Sequence, residues 1–383
     1  MAWAITGAGM LTSVGQGVDA CFRALCAGTS GVKPLQAFDA ARYDVQRAYE
    51  IEDREGGRDV PRRSSRWLCA AIAEAVASAG LSPDAARPLP ILVGTGLREL
   101  RSLELWWSGA PLELHELHFG GALHEAQGAR GPVITVCNAC AASSFALGLA
   151  EDMLALGQAD AVIVAGCDSI TESMFGLADR ANPGGRPERL QPFDRDRRGV
   201  VLGEGAAAVV LERPDRAASR GAPPLAWLRG VGMSCDAYHE TAPSLDGVQR
   251  AMRDAHRRSG VSAGEIDLLM AHGTGTSLND ENEIQALRGV FGARAPSVMI
   301  SGIKSMTGHT SGGSGLVGVI TAIQSMIHGR VPPTVGLSRP LDAGEGLDFV
   351  TGAAREAAIR VAQVDAFGFG GVNAVAILER RSA

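Results

Sequence analysis

The chain has 383 residues, 46% of them hydrophobic and 20% charged, which is ordinary for a soluble globular protein of one large domain or two smaller ones. Its 36 basic and 42 acidic residues give a net charge of −6, without the basic excess expected of a nucleic-acid binder, and no apolar run reaches the ~18 residues of a membrane span. The opening MAWAITGAGML has no cationic segment before its apolar residues, and seven cysteines at irregular spacing make no disulfide framework, so a cytoplasmic protein without a signal peptide is expected.

Along the chain, short β-branched runs alternate with Ala- and Leu-rich stretches of helical pattern. The glycines of ITGAGM mark a first loop, and a helix is predicted over Arg66–Gly80. Strands follow at ILVGTG (91–96) and PVITVC (132–137), then a helix over Ala141–Gly157 and a strand at AVIVAG (161–166). Ala178–Glu188 has the composition of a surface loop. AAAVVLE (206–212) is the next strand, Gly247–Ser259 the next helix, and DLLMA (267–271) the next strand. It leads into the glycine-rich AHGTGTSLND. KSMTGHTSGGSG precedes a helix over Gly315–His328, and AFGFGGVN precedes a strand at VAILE (375–379). Such alternation argues for an α/β fold with buried sheets. Glycine-rich loops after strands are places where backbone turns tightly or a ligand approaches closely. A dinucleotide fingerprint is disfavoured in the first of them, because Thr12 stands where the third glycine should be.

Cys137-Asn138-Ala139-Cys140 spells C-x-x-C. A zinc site needs two further ligands. His115, His118 and His124 do not have metal-site spacing and no second C-x-x-C exists, so no metal is expected. A thioredoxin-like redox pair would leave the glycine-rich loops unexplained. The third reading makes Cys140 a nucleophile where a strand passes into a helix. There the unpaired N–H groups and positive dipole end would favour a thiolate, and the small Ala141-Ala142-Ser143-Ser144 turn would admit a thioester. Cys137 would then be a buried strand residue. Two cysteines packed in a core remain the bland alternative.

Further motifs narrow the choice. Cys140 in NACAAS, His272 in AHGTGT, and Lys304 with His309 in KSMTGH stand in the order found in the β-ketoacyl synthases. PFDRDRRGVVLGEGAAAVVLE (192–212), CDAYHETAP (235–243) and AFGFGGVN resemble the same family, the 3-oxoacyl-[acyl-carrier-protein] synthase II type in particular. The resemblance covers nearly the whole chain. It implies a thiolase fold: two pseudo-twofold-related βαβαβαββ halves in a five-layered αβαβα arrangement, here residues 1–230 and 231–383. It implies decarboxylative Claisen condensation of a cysteine-bound acyl chain with malonyl carrier protein.

Residue by residue, the resemblance makes Cys140 the acylated nucleophile and the backbone N–H groups of Cys140 and Phe369 the oxyanion hole. His272 and His309 match the pair that binds the malonyl thioester carbonyl, and Lys304 a lysine that orients His309. Thr241, Thr274 and Thr276 match threonines lining the phosphopantetheine channel, Phe369 a gating side chain, and Asp280 and Glu283 structural acids. Arg62, Arg63 and Arg66 could meet an acidic carrier protein. No cofactor is implied beyond the phosphopantetheine that carries the substrates. The implied partners are an acyl carrier protein and a second subunit, identical or related.

The pattern also departs from fatty-acid members. Asn138 and Val372 each replace a Thr, and Gly318 replaces a Glu that partners the lysine; polyketide synthases share the Gly and the HGTGT form. The stretch between Gly96 and Gly131 is short. These differences favour a type II polyketide or specialised fatty-acyl pathway. The alternatives are an acyltransferase or hydrolase on the same fold and a non-condensing subunit resembling a chain-length factor, which lacks the nucleophile.

Overall fold

The computed structural model describes residues 2–180 and 186–381. Ten principal strands and six principal helices form two halves of identical layout. The first runs β1 (Trp3–Thr12), α1 (Arg63–Ser78), β2 (Ile91–Gly94), α2 (Phe119–Gln127), β3 (Val133–Val136), α3 (Ala142–Ala155), β4 (Ala161–Asp168) and β5 (Gly205–Glu212). The second runs β6 (Ala226–Cys235), α4 (Leu245–Ser259), β7 (Leu268–Met270), α5 (Ser277–Phe291), β8 (Met299–Ser301), α6 (Ser314–His328), β9 (Val361–Gly368) and β10 (Val372–Arg380).

The strand order is β3-β2-β4-β5-β1 in the first half and β8-β7-β9-β10-β6 in the second, the same permutation twice. In each, the first three strands are parallel and the last two join antiparallel. The halves meet where Trp3–Ile5 of β1 pairs antiparallel with Ala226–Leu228 of β6. β6 opens the second half and crosses the expected division at residue 230.

Three apolar cores account for the layers. On β5, Ala206, Ala208 and Val210 face α1, while Ala207, Val209 and Leu211 face the interior of the molecule. That alternation buries both faces of the sheet, as period-two side-chain placement requires. The second sheet does the same: Val361, Phe367 and Val375 join Val248 and Met252 of α4 and Leu287 of α5, while Val364, Ala366 and Ala376 turn inward. Between the sheets lie α3 and α6, contributing Leu147, Leu154, Leu316 and Ile320 to the central core. The layers therefore stack αβαβα. No helix among the described residues is long and apolar enough to cross a membrane.

ITGAGM is strand, not loop. A Cβ on Gly7 would stand 2.1 Å from the Ala75 carbonyl of α1, and one on Gly9 2.0 Å from that of Ala71. Gly232 of β6 would likewise collide with Ala255 of α4 at 2.1 Å. The glycines are there because a helix lies directly on the strand backbone. Of the expected surface loop, residues 178–180 end a helix (Glu172–Arg180), and 181–185 lie outside the described residues.

Candidate active site

Cys140 sits in a 3₁₀ turn, Ala139–Ala141, ahead of α3. Ala139 is forced into the left-handed region, φ 45°. The turn before α6, Ser311–Gly313, repeats the device, with Ser311 at φ 44°. Strained non-glycine backbone of this kind persists only where its surroundings over-determine it. The two turns pack together across the pseudo-twofold. The Ser314 hydroxyl donates to the Cys140 carbonyl at 3.3 Å, and the Leu316 N–H donates to the Ser143 hydroxyl at 3.2 Å.

Asp168, at the end of β4, ties the same region together. Its carboxylate accepts from the Thr95 hydroxyl and the N–H groups of Gly96 and Leu97, each at 2.8 Å, and from the Gly312 N–H at 2.6 Å. Burial still raises it to about 6, outweighing those bonds. Sequence reasoning passed over this residue. The available signal was an acid ending an otherwise apolar strand, AVIVAGCD.

Cys140 is buried, 8% exposed as a residue. Burial pushes it up to about 11, against the opposing pull of Lys304 and of the backbone N–H groups of Phe369 and Cys140 itself. A thiolate stabilised at the mouth of a helix was the expectation; desolvation overrides the end of the helix. Both N–H groups bear on the sulfur. Phe369 lies in the turn joining β9 to β10, with its side chain 39% exposed. Gly370 (φ 81°) donates its N–H to the Glu240 carbonyl at 2.8 Å, fastening this turn to the loop that carries Thr241.

Cys137 is exposed, not buried. β3 is the outer edge of its sheet, with Ile134 44% exposed, and the Arg98 Nε–H reaches the Cys137 sulfur at 3.3 Å. Among the described residues no group of histidines, cysteines or acids could hold a metal ion. The His124 ring contacts the Ala129 carbonyl at 3.2 Å instead.

His272 follows β7 in a loop folded onto α5. Glu283 accepts the N–H groups of His272 and Gly273 at 2.6 and 2.8 Å, and Asp280 those of Thr274 and Gly275, both at 3.1 Å. Four consecutive N–H groups are thus held by two buried carboxyls one helical turn apart. Burial lifts Asp280 to about 6 and raises Glu283 as well. Thr276 caps α5, accepting the Asn279 N–H, and its hydroxyl bonds that of Thr274 at 2.8 Å. Thr241 is exposed and donates its N–H to His239 Nδ1.

His309 is fixed from the first half: its N–H donates to the Val201 carbonyl and its carbonyl accepts from Gly203, both at 3.0 Å. The His272 and His309 rings meet edge to face, centroids 5.4 Å apart. Burial and the nearby Lys304 charge drive both well below the usual histidine range, so both are neutral at physiological pH.

Lys304 is matched to the other histidine than expected. Its ammonium lies 3.3 Å from His272 Nδ1 and donates to the His272 carbonyl at 2.5 Å. A lysine can only donate to that nitrogen while charged, which makes Nδ1 the acceptor and leaves Nε2–H as the free donor of His272. Burial lowers Lys304, partly offset by Glu283 and Cys140.

Arg63 is not free to meet a partner, and Arg62 is already engaged in surface ion pairs. Arg62 pairs with Glu116 and Glu125; Arg63 is buried among Asp53, Asp59 and Glu204. Arg66 alone of the three is exposed.

Comparison with known proteins bears directly on this geometry. Residues 3–217 match the family model for the β-ketoacyl synthase N-terminal domain, and residues 225–338 that for the C-terminal domain. The chain belongs to the β-ketoacyl synthase family. It is 32% identical to 3-oxoacyl-[acyl-carrier-protein] synthase 2 of Vibrio cholerae, over 98% of each chain. It is 41% identical to nodulation protein E of Rhizobium meliloti over 65% of this chain and 62% of that one. Among solved structures, the ishigamide ketosynthase/chain length factor superposes with a TM-score of 0.90 at 32% identity, covering 100% of this chain and 99% of that one. The fold is therefore that of the thiolase-type ketosynthases, and the protein is a ketosynthase of the acyltransferase class.

Proposed function

We propose that this ketosynthase joins an acyl chain carried on Cys140 to a malonyl group carried by an acyl carrier protein, releasing CO2 and a 3-oxoacyl product. The observation that carries the reading is that Lys304, whose charge acts on the Cys140 sulfur together with the Phe369 and Cys140 N–H groups, also bonds one of two neutral, buried imidazoles that meet edge to face. In the first stage the Cys140 sulfur attacks the acyl thioester. Its S–C bond forms as the carrier arm's S–C bond breaks, and the thiol proton passes to the departing arm. The N–H groups of Cys140 and Phe369 hold the charge on the thioester oxygen, a contribution of about 3 kcal/mol per donor. In the second stage the malonyl C–CO2 bond breaks, with His272 and His309 donating to the thioester oxygen that gains charge. The resulting carbanion forms the new C–C bond, the Cys140 S–C bond breaks, and the thiolate takes one proton from water. Neutral imidazoles suit this role, since each offers one N–H without a charge to desolvate.

Thiol, imidazole and amide groups carry the reaction, with phosphopantetheine bringing the substrates to the channel lined by Thr241, Thr274 and Thr276 and gated by Phe369. The name of the Vibrio cholerae relative supports the acyl carrier protein as partner, with exposed Arg66 and partly exposed Arg62 the candidate contacts left of the arginine group. The ishigamide ketosynthase is paired with a chain length factor, which supports a second subunit for this chain, homodimeric or heterodimeric. The open edge of β3, with exposed Ile134, is where such a subunit would seat. Gly318, Val372 and the HGTGT loop support a type II polyketide or specialised fatty-acyl pathway, in the cytoplasm.

Intact-protein mass spectrometry with an acyl carrier-protein donor tests the reading. One acyl adduct is expected, absent in Cys140→Ala and kept in Cys137→Ala, and wild type should release CO2 from malonyl carrier protein. An adduct that survives Cys140→Ala overturns it. A wild type that takes no acyl group would point instead to a non-condensing subunit.

A further inference from the structure

Asp365 lies on β9, immediately before the AFGFGGVN stretch. It is 3% exposed. Its Oδ1 accepts from Gln363 Nε2 at 2.8 Å, and Gln363 Oε1 in turn meets His256 Nε2 of α4 at 2.8 Å. Its Oδ2 is buried and finds no hydrogen-bond partner among the described residues. A buried carboxyl oxygen left unpaired is costly, and native proteins rarely tolerate one without a compensating partner or role. Beside it is a cavity of about 10 Å³, walled by Asp365, Lys304, Thr310, Ser314 and Gly318 among others. That is the room one water needs, and the polar lining supplies the two to four partners such a water requires.

We propose that Asp365 is a positioning residue of the condensation, its carboxyl fixing Lys304 against His272 through a single water held in this cavity. Lys304 spends one N–H on the His272 carbonyl and one on Nδ1, so its third is the one left for the water. The charged and titratable groups acting on Asp365 are Glu283 of α5 and Lys304, with His256 of α4 reaching it through Gln363. Burial, reinforced by Glu283, pushes the Asp365 carboxyl well above the usual carboxylate range, which favours its protonated form as an O–H donor. Asparagine reproduces that arrangement: its oxygen can accept from Gln363 and its N–H can donate to the water. Leucine reproduces the bulk and neither bond.

The inference rests on the ketosynthase reading of the same site, and two readouts keep their failures apart. The first is release of labelled CO2 from malonyl carrier protein, compared with acylation of Cys140. Asp365→Leu should lose decarboxylation about tenfold with acylation kept within about twofold, and Asp365→Asn should restore decarboxylation to within about threefold of wild type. The second needs no substrate: iodoacetamide labelling of the Cys140 peptide at pH 7.5, below the value of about 8 to which burial lowers Lys304, which reports the Lys304 charge that favours the thiolate. Labelling should slow in Asp365→Leu, because Lys304 has lost the water that holds its ammonium in place near Cys140, and should stay near the wild-type rate in Asp365→Asn. If wild type releases no CO2, the ketosynthase reading fails while the labelling arm still judges Asp365. Folded Asp365→Leu that labels like wild type overturns the inference. So does an Asp365→Asn as impaired as Asp365→Leu, since the carboxyl would then be acting by negative charge.

Discussion

Lys304 donates to His272 twice, to the ring nitrogen Nδ1 at 3.3 Å and to the backbone carbonyl at 2.5 Å. One side chain therefore sets both the tautomer of the imidazole and the position of the loop that presents it. The same ammonium acts on Cys140, so the nucleophile and the histidine share a charge. Removing it should harm both stages, but the stage that depends on the orientation of His272 most. Lys304→Ala is expected to slow decarboxylation by about 10²-fold, the lower end of what a positioned proton donor supplies, with a smaller loss in Cys140 acylation. Equal losses in labelled-CO2 release and acyl-adduct formation would count against the pairing.

A thiol held at about 11 makes a definite statement about pH. The folded value lies above the ordinary 9.0, so at pH 7 to 9 Cys140 is almost wholly protonated and its thiolate fraction rises tenfold with each unit. Iodoacetamide inactivation should climb at that slope across pH 7 to 9 without levelling off. A plateau near pH 7 would mean that the helix end and Lys304 outweigh burial after all.

The arginines of the 62–66 segment separate what a sequence displays from what a fold decides. Arg62, Arg63 and Arg66 look alike in the chain, and only the tertiary structure sends Arg63 into the interior, against Asp53, Asp59 and the distant Glu204. Removing one partner of a buried ionic cluster strands the others, so Arg63→Ala should cost about 3–5 kcal/mol in urea unfolding. Arg66→Ala should stay within about 0.5 kcal/mol. Matching values for the two would show that the cluster is not buried in solution.

Legibility followed the range of the interactions. Cys140, His272 and His309 could be found because NACAAS, AHGTGT and KSMTGH resemble motifs of the β-ketoacyl synthases; the small residues around them mark close approach and no more. The strands AVIVAG and AAAVVLE could be found because a doubly covered sheet needs continuous apolar residues. Asp168 could not, since its role is a bond to Gly312, 144 positions along the chain. Nor could the choice of Lys304 between two histidines, which is settled by where β7 delivers its loop. The thiol was misjudged for a related reason: a helix start is visible in sequence, whereas the depth of burial around it is not.

Glycine in β1 misled for the opposite reason, since a residue read as a turn former proved to be a packing requirement. Adding a methyl group at Gly7 places it 2.1 Å from the Ala75 carbonyl and 2.7 Å from both the Ala79 Cβ and the Ala79 N–H nitrogen. Two of those atoms are helix backbone, which cannot swing aside as a side-chain tip would, so α1 must lift off the sheet. Overpacking of this kind costs about 1–3 kcal/mol, and displacing α1 also opens the core formed by Leu68, Ala71 and Ile72. Gly7→Ala should therefore lower the urea midpoint by an amount at the upper end of that range. Gly264 is the control: it lies in an exposed 3₁₀ turn, and its new methyl would meet only the Ser262 hydroxyl at 3.7 Å. Gly264→Ala should leave the midpoint nearly unchanged. If Gly7→Ala is equally silent, the strand does not lie against the helix as closely as these distances require, and the outer layer of the first half has room to spare.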